Sequence, residues 1–149
     1  MTDASPAAGT KTPWHLWLVG VLAVAWNAIG AFDYLMTETR NATYMGSFTA
    51  EQLAYIDSFP KWAIATWALG VWGGVLGGIL LLLRRRLAVP VFAVSLASAA
   101  ITFLYNFALS DGLKVMGGGA ALILPAGILL IAVLLLLYSR KQGRNGVLR

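Results

Sequence analysis

The chain has 149 residues, of which 59% are hydrophobic and 11% charged, and its formal net charge is +5. A soluble domain is about 45–50% apolar and about 25% charged, so this composition excludes an ordinary water-soluble protein and indicates one embedded in lipid. The basic residues lie in short clusters beside apolar runs, which argues against a nucleic-acid-binding surface. With no cysteine and one histidine, His15, the chain lacks the ligands of a transition-metal site, and we expect no metal or cofactor.

Four apolar stretches have about the 20 residues needed to cross the hydrocarbon core of a bilayer. They cover residues 14–36, 62–83, 87–109 and 118–138, and the short connections carry nearly all the charge. The sequence therefore predicts an all-α membrane protein whose single domain, 14–138, is a four-transmembrane-helix bundle. Residues 1–13 are expected to form a disordered cytoplasmic N-terminus, and residues 139–149 a basic cytoplasmic tail.

The distribution of lysine and arginine predicts the orientation of the spans. Four spans place both termini and the second connection on one side, which holds eight basic residues, against three on the other side. The eight are Lys11, Arg84, Arg85, Arg86, Arg140, Lys141, Arg144 and Arg149, and the three are Arg40, Lys61 and Lys114. Because basic connections stay in the cytoplasm, we expect both termini there.

The first outer loop contains the signal of a short amphipathic helix. Thr49 and Gln52 have the spacing of a capping box, and Phe48 and Leu53 that of a hydrophobic staple. The predicted helix covers about 50–58 and ends before Pro60, because the residue before a proline disfavours the helical conformation.

Glycines recur in the second span at the spacing of close helix packing. Gly70, Gly74 and Gly78 form a small-xxx-small series, with Gly73 and Gly77 in a row beside it. Because glycine has no side chain, the backbone of a second helix can approach closely at these positions in lipid. The series fits packing inside the bundle, and it also fits the interface of a homo-oligomer.

Polar residues in the spans are expected to face the bundle, because lipid offers their hydrogen-bonding groups no partner. Two interpretations remain open. In the first, the polar side chains simply bond across helices; in the second, they line a small pocket in the outer half of the bundle. The residues of that possible pocket are Asn27, Thr66, Thr102, Tyr105 and Asn106.

Asp33 is the one acidic residue inside a predicted span. It follows Trp14 by nineteen residues, or about 28 Å of helix, which places it near the outer interface. Lys61 or Arg40 would be within reach there. We expect a structural ion pair with Lys61, and the alternative is a proton-coupling site.

Several segments together resemble a family of small bacterial four-span membrane proteins. They are WNAIGAFDY (26–34), FTAEQ (48–52), SFP (58–60) and WALGVWG (67–73), and the resemblance covers most of residues 14–111. Relatives often carry a sugar-transporter label or are called only membrane proteins. The resemblance implies the four-span architecture and the bacterial inner (plasma) membrane, and it brings no known site residues.

Two functions remain after these observations. The first is a non-enzymatic accessory or scaffold subunit that acts through helix–helix packing, in a homo-oligomer or a larger membrane-protein complex. The second is an oligomeric small-solute carrier with its polar site in the outer half, since four helices can hardly enclose a path alone. A lipid-modifying enzyme is a weaker third, because no acid–base pair can be assembled.

Overall fold

The computed structural model describes residues 11–149, and all regular structure in that range is helical. Four helices are long and apolar enough to cross a membrane, which confirms the predicted four-span, all-α architecture. The chain is therefore a multi-pass integral membrane protein. The N-terminal segment predicted to be disordered lies outside the described residues, except for its last three.

Seven α-helices follow one another along the described chain. They are α1 (Trp14–Glu38), α2 (Ala42–Met45), α3 (Ala50–Asp57), α4 (Lys61–Leu82), α5 (Ala88–Leu104), α6 (Gly112–Val115) and α7 (Ile123–Arg144). A π-helical turn, Tyr105–Leu109, extends α5, and a 3-10 turn, Gly118–Leu122, precedes α7. The spans are α1, α4, α5 with its π turn, and α7 with its 3-10 turn.

The alternating direction of the spans gives the molecule two ends. What we call the terminal end carries Lys11, the α4–α5 connection and residues 140–149. The loop end carries α2, α3 and α6. The short helix α3 begins with the predicted capping box, since the amide of Gln52 donates to the Thr49 hydroxyl at 3.2 Å and the Thr49 amide donates to Gln52 Oε1 at 3.0 Å.

The central helix of the bundle is α4, which packs against α1 on one side and α5 on the other, while α7 packs against α5. The glycines of α4 that face α5 are Gly70, Gly73 and Gly77, and those that face α1 are Gly74 and Gly78. A Cβ atom at Gly77 would lie 2.7 Å from the ring of Phe92, and one at Gly78 would lie 2.8 Å from Val24. Both glycine rows are therefore occupied by neighbouring helices of the same chain.

The hydrophobic core lies at the terminal end, where all four spans contribute. It consists of Leu16, Ala23, Leu81, Ala88, Phe92, Leu135, Val147 and Leu148. Toward the loop end α7 is much less covered by the other helices. In its most apolar stretch 11% of the residues are buried, against 22%, 28% and 22% in the other spans. Near the start of α7, Ile123 and Leu124 are 76% and 64% exposed.

The last residues of the chain, which belong to the predicted basic tail, are packed against the bundle. Helix α7 continues to Arg144, and after the left-handed Gly146 (φ 71°) the chain turns back toward the spans. Val147 and Leu148 are consequently 3% and 1% exposed. Burial of these two apolar side chains explains why the end of this strongly basic stretch packs against the bundle. The net charge of the stretch, taken alone, indicates a tail.

Two arginines of the α4–α5 connection hold this segment in place. The amide of Arg149 donates to the carbonyl of Arg84 at 2.6 Å, and the amide of Arg86 donates to the carbonyl of Arg149 at 2.9 Å. Their side chains also donate through Nε, Arg84 to Val147 and Arg86 to Leu148. Arg84 has a φ of 57°, a conformation that costs a non-glycine residue about 1–2 kcal/mol.

Candidate functional site

A line of hydrogen bonds connects the interior of the bundle to the loop helix α3. Its members, which we call the loop-end polar network, are Thr66, Thr102, Asn106, Ser110 and Tyr55. Three of them belong to the pocket predicted from the sequence, and two were not among the predicted site residues.

The inner part of the network joins two spans. Thr102 Oγ1 of α5 donates to Thr66 Oγ1 of α4 across 3.0 Å, and Thr66 Oγ1 donates to the carbonyl of Ala63 at 3.0 Å. One helical turn deeper on α5, the hydroxyl of Ser98 is buried, and Ser95 donates to the carbonyl of Gly70 at 2.6 Å. Hydroxyl groups of α5 therefore bond to α4 at two levels.

The middle of the network lies in the π turn at the end of α5. Asn106 Nδ2 donates to the carbonyl of Thr102 at 2.8 Å. Ser110 Oγ lies 2.8 Å from the carbonyl of Tyr105 and 3.1 Å from that of Asn106, so its single proton can be donated to either backbone oxygen where the regular helix ends. Single π turns inside α-helices are frequent at functional sites, which makes this turn the most distinctive backbone feature of the network.

Tyr55 closes the network from the loop side and is 7% exposed. Its hydroxyl donates to Asn106 Oδ1 at 3.0 Å and lies 2.7 Å from Ser110 Oγ. Burial raises the pKa of this phenol, and the hydrogen bond with Ser110 opposes the rise in part. Gly112 passes so close that a Cβ atom there would lie 2.5 Å from the Tyr55 hydroxyl.

Tyr105, another member of the predicted pocket, contributes its ring. Its centroid lies 5.0 Å from that of Trp62 and 5.5 Å from that of Phe59, both in edge-to-face geometry. Phe59 continues the series to Tyr55, with centroids 5.1 Å apart. These rings form an aromatic wall beside the network and connect α3, α4 and α5.

Asn27 lies apart from the other predicted pocket residues. Its Nδ2 donates to the carbonyl of Ala23 in its own helix at 2.8 Å, and its side chain fills the space beside Gly74. Gly74 is eight residues from Thr66 along α4, or about 12 Å. The structure thus places Asn27 in the α1–α4 interface, and the other four residues beside the α4–α5 interface at the loop end.

Asp33 is satisfied by a phenol. The hydroxyl of Tyr44 in α2 donates to the Asp33 carboxylate. The ion pair that the structure shows among residues 11–149 is between Arg40 and Asp57. The expected pair with Lys61 is absent from these contacts, and the short helix α2 supplies Tyr44 as the partner of the carboxylate in its place. Burial, the hydrogen bond and the negative charge of Asp33 raise the pKa of Tyr44 to about 12.

The chemistry available at this site is that of neutral hydroxyl and amide groups. The loop-end polar network contains neither a carboxylate nor an imidazole. Among residues 11–149 no three histidine, cysteine or acidic residues lie together as metal ligands would. His15 lies at the terminal end, where its Nδ1 is 2.5 Å from the hydroxyl of Tyr138. The network can couple helices and, if opened, hydrogen-bond to a neutral polar solute.

No protein-family model, curated protein or solved structure matches this chain. The resemblance to small bacterial four-span proteins therefore stays a prediction, and the function is argued from the geometry of the site.

Proposed function

We propose that this chain is a non-enzymatic accessory or scaffold subunit in a bacterial inner membrane, where it acts by packing a helix against another membrane protein. The observation that carries the proposal is the incomplete packing of α7. This span is anchored to the bundle near its end, at Leu135 and Ser139, and is largely uncovered over its first half.

Exposed apolar side chains alone do not indicate a partner in a membrane, because lipid covers them. Small residues are more informative, since membrane helices associate through close contact at such positions. The glycines of α4 are filled by α1 and α5, whereas a Cβ atom at Gly119 or Gly127 would meet nothing within 4 Å. The fourth span, α7 with its 3-10 turn, therefore has room for another helix around these two glycines.

The loop-end polar network supports a structural role. Its hydroxyl and amide groups bond to one another and to backbone carbonyls, so binding a solute would first require breaking these bonds. Buried polar groups that are fully paired stabilise a defined packing arrangement. The network thereby fixes α4 and α5 relative to each other at the loop end and holds the loop helix α3 against them.

The charge distribution supports an orientation with the terminal end in the cytoplasm and the loop end outside. The terminal end holds eight of the eleven basic residues. Among the described residues, the acidic ones belong to the loop end, from Asp33 to Asp111. Basic connections are retained in the cytoplasm, so this bias favours one orientation for all copies.

Site-specific photo-crosslinking in intact cells tests the proposed role. A photoreactive amino acid replaces Leu124 on α7, and a matched variant carries it at Leu22 on α1, where the exposure is similar at 58%. We expect a discrete protein adduct from position 124 and lipid adducts from position 22. Two differently tagged copies distinguish a second copy of the chain from another protein. Lipid adducts at both positions, together with a monomer in native mass spectrometry, would reject the proposal.

A small-solute carrier is the second candidate, and the π turn of α5 favours it. A carrier would need the Tyr55–Asn106 bond to open toward the outside and admit a neutral polar solute. Uptake into proteoliposomes tests this, with Asn106→Ala as the site variant and Ser139→Ala, at the opposite end, as the control. Uptake that Asn106→Ala leaves unchanged would reject the site.

A further inference from the structure

A basic groove lies at the terminal end, between the start of α5 and the end of α7. The residues that line it and carry the argument are Arg86, Val89, Leu137, Arg140, Lys141 and Arg144. We call this the basic groove. It is separate from the loop-end polar network, at the opposite end of the spans.

One face of α7 supplies most of the groove. Leu137, Arg140, Lys141 and Arg144 follow the spacing i, i+3, i+4 and i+7, which places them on one side of a helix. Arg144 follows Arg140 by four positions, a spacing at which like charges repel each other along a helix. This face therefore concentrates positive charge at a local cost in helix stability.

The fourth cation comes from a different element. Arg86 lies in the α4–α5 connection, and its Nε donates to the carbonyl of Leu148 at 3.3 Å. This bond holds the guanidinium beside the end of α7 before any ligand arrives. The start of α5 and the end of α7 lie close together there, since a Cβ atom at Gly143 would lie 3.9 Å from Val89.

No described acidic residue balances these cations. The five acidic residues within 11–149 are Asp33, Glu38, Glu51, Asp57 and Asp111, all toward the loop end. Two general effects explain why basic residues gather at this end. Basic connections are retained in the cytoplasm, and positive charges are favoured at the negative, C-terminal end of the α7 helix dipole. These effects do not explain why cations from two elements face one groove with an apolar wall.

The apolar wall indicates what kind of anion fits. Val89 and Leu137 lie one turn from the basic residues, on the parts of α5 and α7 that enter the membrane. A ligand that fills the groove thus meets positive charge at its polar end and hydrocarbon at the other. Basic pockets between membrane helices on the cytoplasmic side are known to bind lipid headgroups with more than one phosphate.

We infer that the basic groove binds the headgroup of an anionic phospholipid carrying two phosphate groups, with its acyl chains against Val89 and Leu137. The phosphates are bound by Arg86 and by the cationic face of α7. Guanidinium groups suit this role because they donate in pairs to phosphate oxygens. The inference depends on membrane insertion and is independent of whether α7 has a protein partner.

Native mass spectrometry of the detergent-solubilised full chain tests the inference by titration with cardiolipin, phosphatidylglycerol and phosphatidylcholine. The groove variant is Arg140→Gln/Lys141→Gln/Arg144→Gln. The matched control, Lys11→Gln/Arg85→Gln/Arg149→Gln, removes the same charge from the same end without changing the six residues above. Inorganic pyrophosphate is added as a competitor, because it has the two phosphates and lacks the chains.

We expect cardiolipin to bind the wild-type chain most tightly, the groove variant to lose at least about tenfold in affinity, and the control less than about twofold. Equal losses in both variants would overturn the inference, since they would show general attraction to positive charge. Complete displacement by an equal concentration of pyrophosphate would also overturn it, because the acyl chains would then contribute nothing. Unchanged size-exclusion profiles and thermal melting verify that both variants are folded.

Discussion

The phenol of Tyr55, in the loop helix α3, donates to the side-chain oxygen of Asn106, in the π turn of the third span, across 3.0 Å. This contact joins residues 51 positions apart and ties a surface loop to the interior of the bundle. Through this hydrogen bond the loop-end polar network is joined to the rest of the loop. Removing the bond therefore tests how far the conformation of the loop depends on the spans.

Tyr55→Phe should loosen α3 without unfolding the bundle. The substitution keeps the ring contact with Phe59 but leaves the half-buried Asn106 Oδ1 without its donor, a loss of about 0.5–1.5 kcal/mol. Hydrogen–deuterium exchange should accelerate in Ala50–Asp57 while exchange in α4 stays slow. Tyr105→Phe is the control, because Tyr105 is placed by its ring, and it should change exchange little. Equal acceleration in both variants would contradict the role given to the Tyr55 hydroxyl.

Gly74→Ala should destabilise the bundle, whereas Gly127→Ala should not. A Cβ atom at Gly74 would collide with the side chain of Asn27, and one at Gly127 would enter open space. Overpacking of this kind typically costs about 1–3 kcal/mol. Thermal unfolding in the same detergent measures the difference, and an equal melting temperature for the two variants would show that the α1–α4 interface adjusts freely.

The pair Tyr44–Asp33 should make the loop end sensitive to strongly alkaline pH. Folding raises the pKa of Tyr44 from 10.0 to about 12, so between these values the folded loop keeps a proton that the unfolded loop has lost. Stability is therefore complete below the lower value and falls as the pH rises toward the upper one. Ultraviolet difference spectra should show a late-titrating phenol that is missing in Tyr44→Phe. A wild-type titration identical to that of the variant would contradict the assignment.

Single cysteines can test the proposed orientation, because the natural chain has none. Thr43→Cys lies in the exposed loop end, and Asn145→Cys in the exposed terminal end. A membrane-impermeant maleimide should label position 43 in cells with a permeable outer membrane, and position 145 only after the inner membrane is opened. The reverse pattern would invert the proposed orientation, and labelling of both would indicate copies inserted in both directions.

The elements governed by local rules could be predicted from the sequence. The spans follow from runs of apolar residues, and α3 follows from the capping pattern of Thr49 and Gln52. The end of α7 was harder to predict. Arg140 and Lys141 indicated that the chain is in water from there on, whereas the helix continues past them to Arg144. The packing of Leu148 depends on a turn at Gly146 and on partners far away in the chain.

The candidate site was predictable only within single helices. Thr102 and Asn106 share a face at a spacing of four residues, and the sequence places them together. Asn27 does not join them, because it packs beside Gly74, about 12 Å from Thr66 along α4, and the helical periodicity of α1 alone does not show this depth. Tyr55 and Ser110 escaped prediction since each acquires its role from tertiary contact, and the π turn that aims Asn106 has no sequence signal of its own.

The arrangement of the spans in a row has a consequence for biosynthesis. Each of α1, α4 and α5 packs against the span that precedes or follows it in order of synthesis, so these contacts can form as successive spans leave the translocation machinery. The last span differs, because its buried residues begin only at Leu135, in its second half. Until that half has packed against α5, the first three spans can assemble while the fourth helix stays unattached in the bilayer, where a neighbouring membrane helix can bind it first.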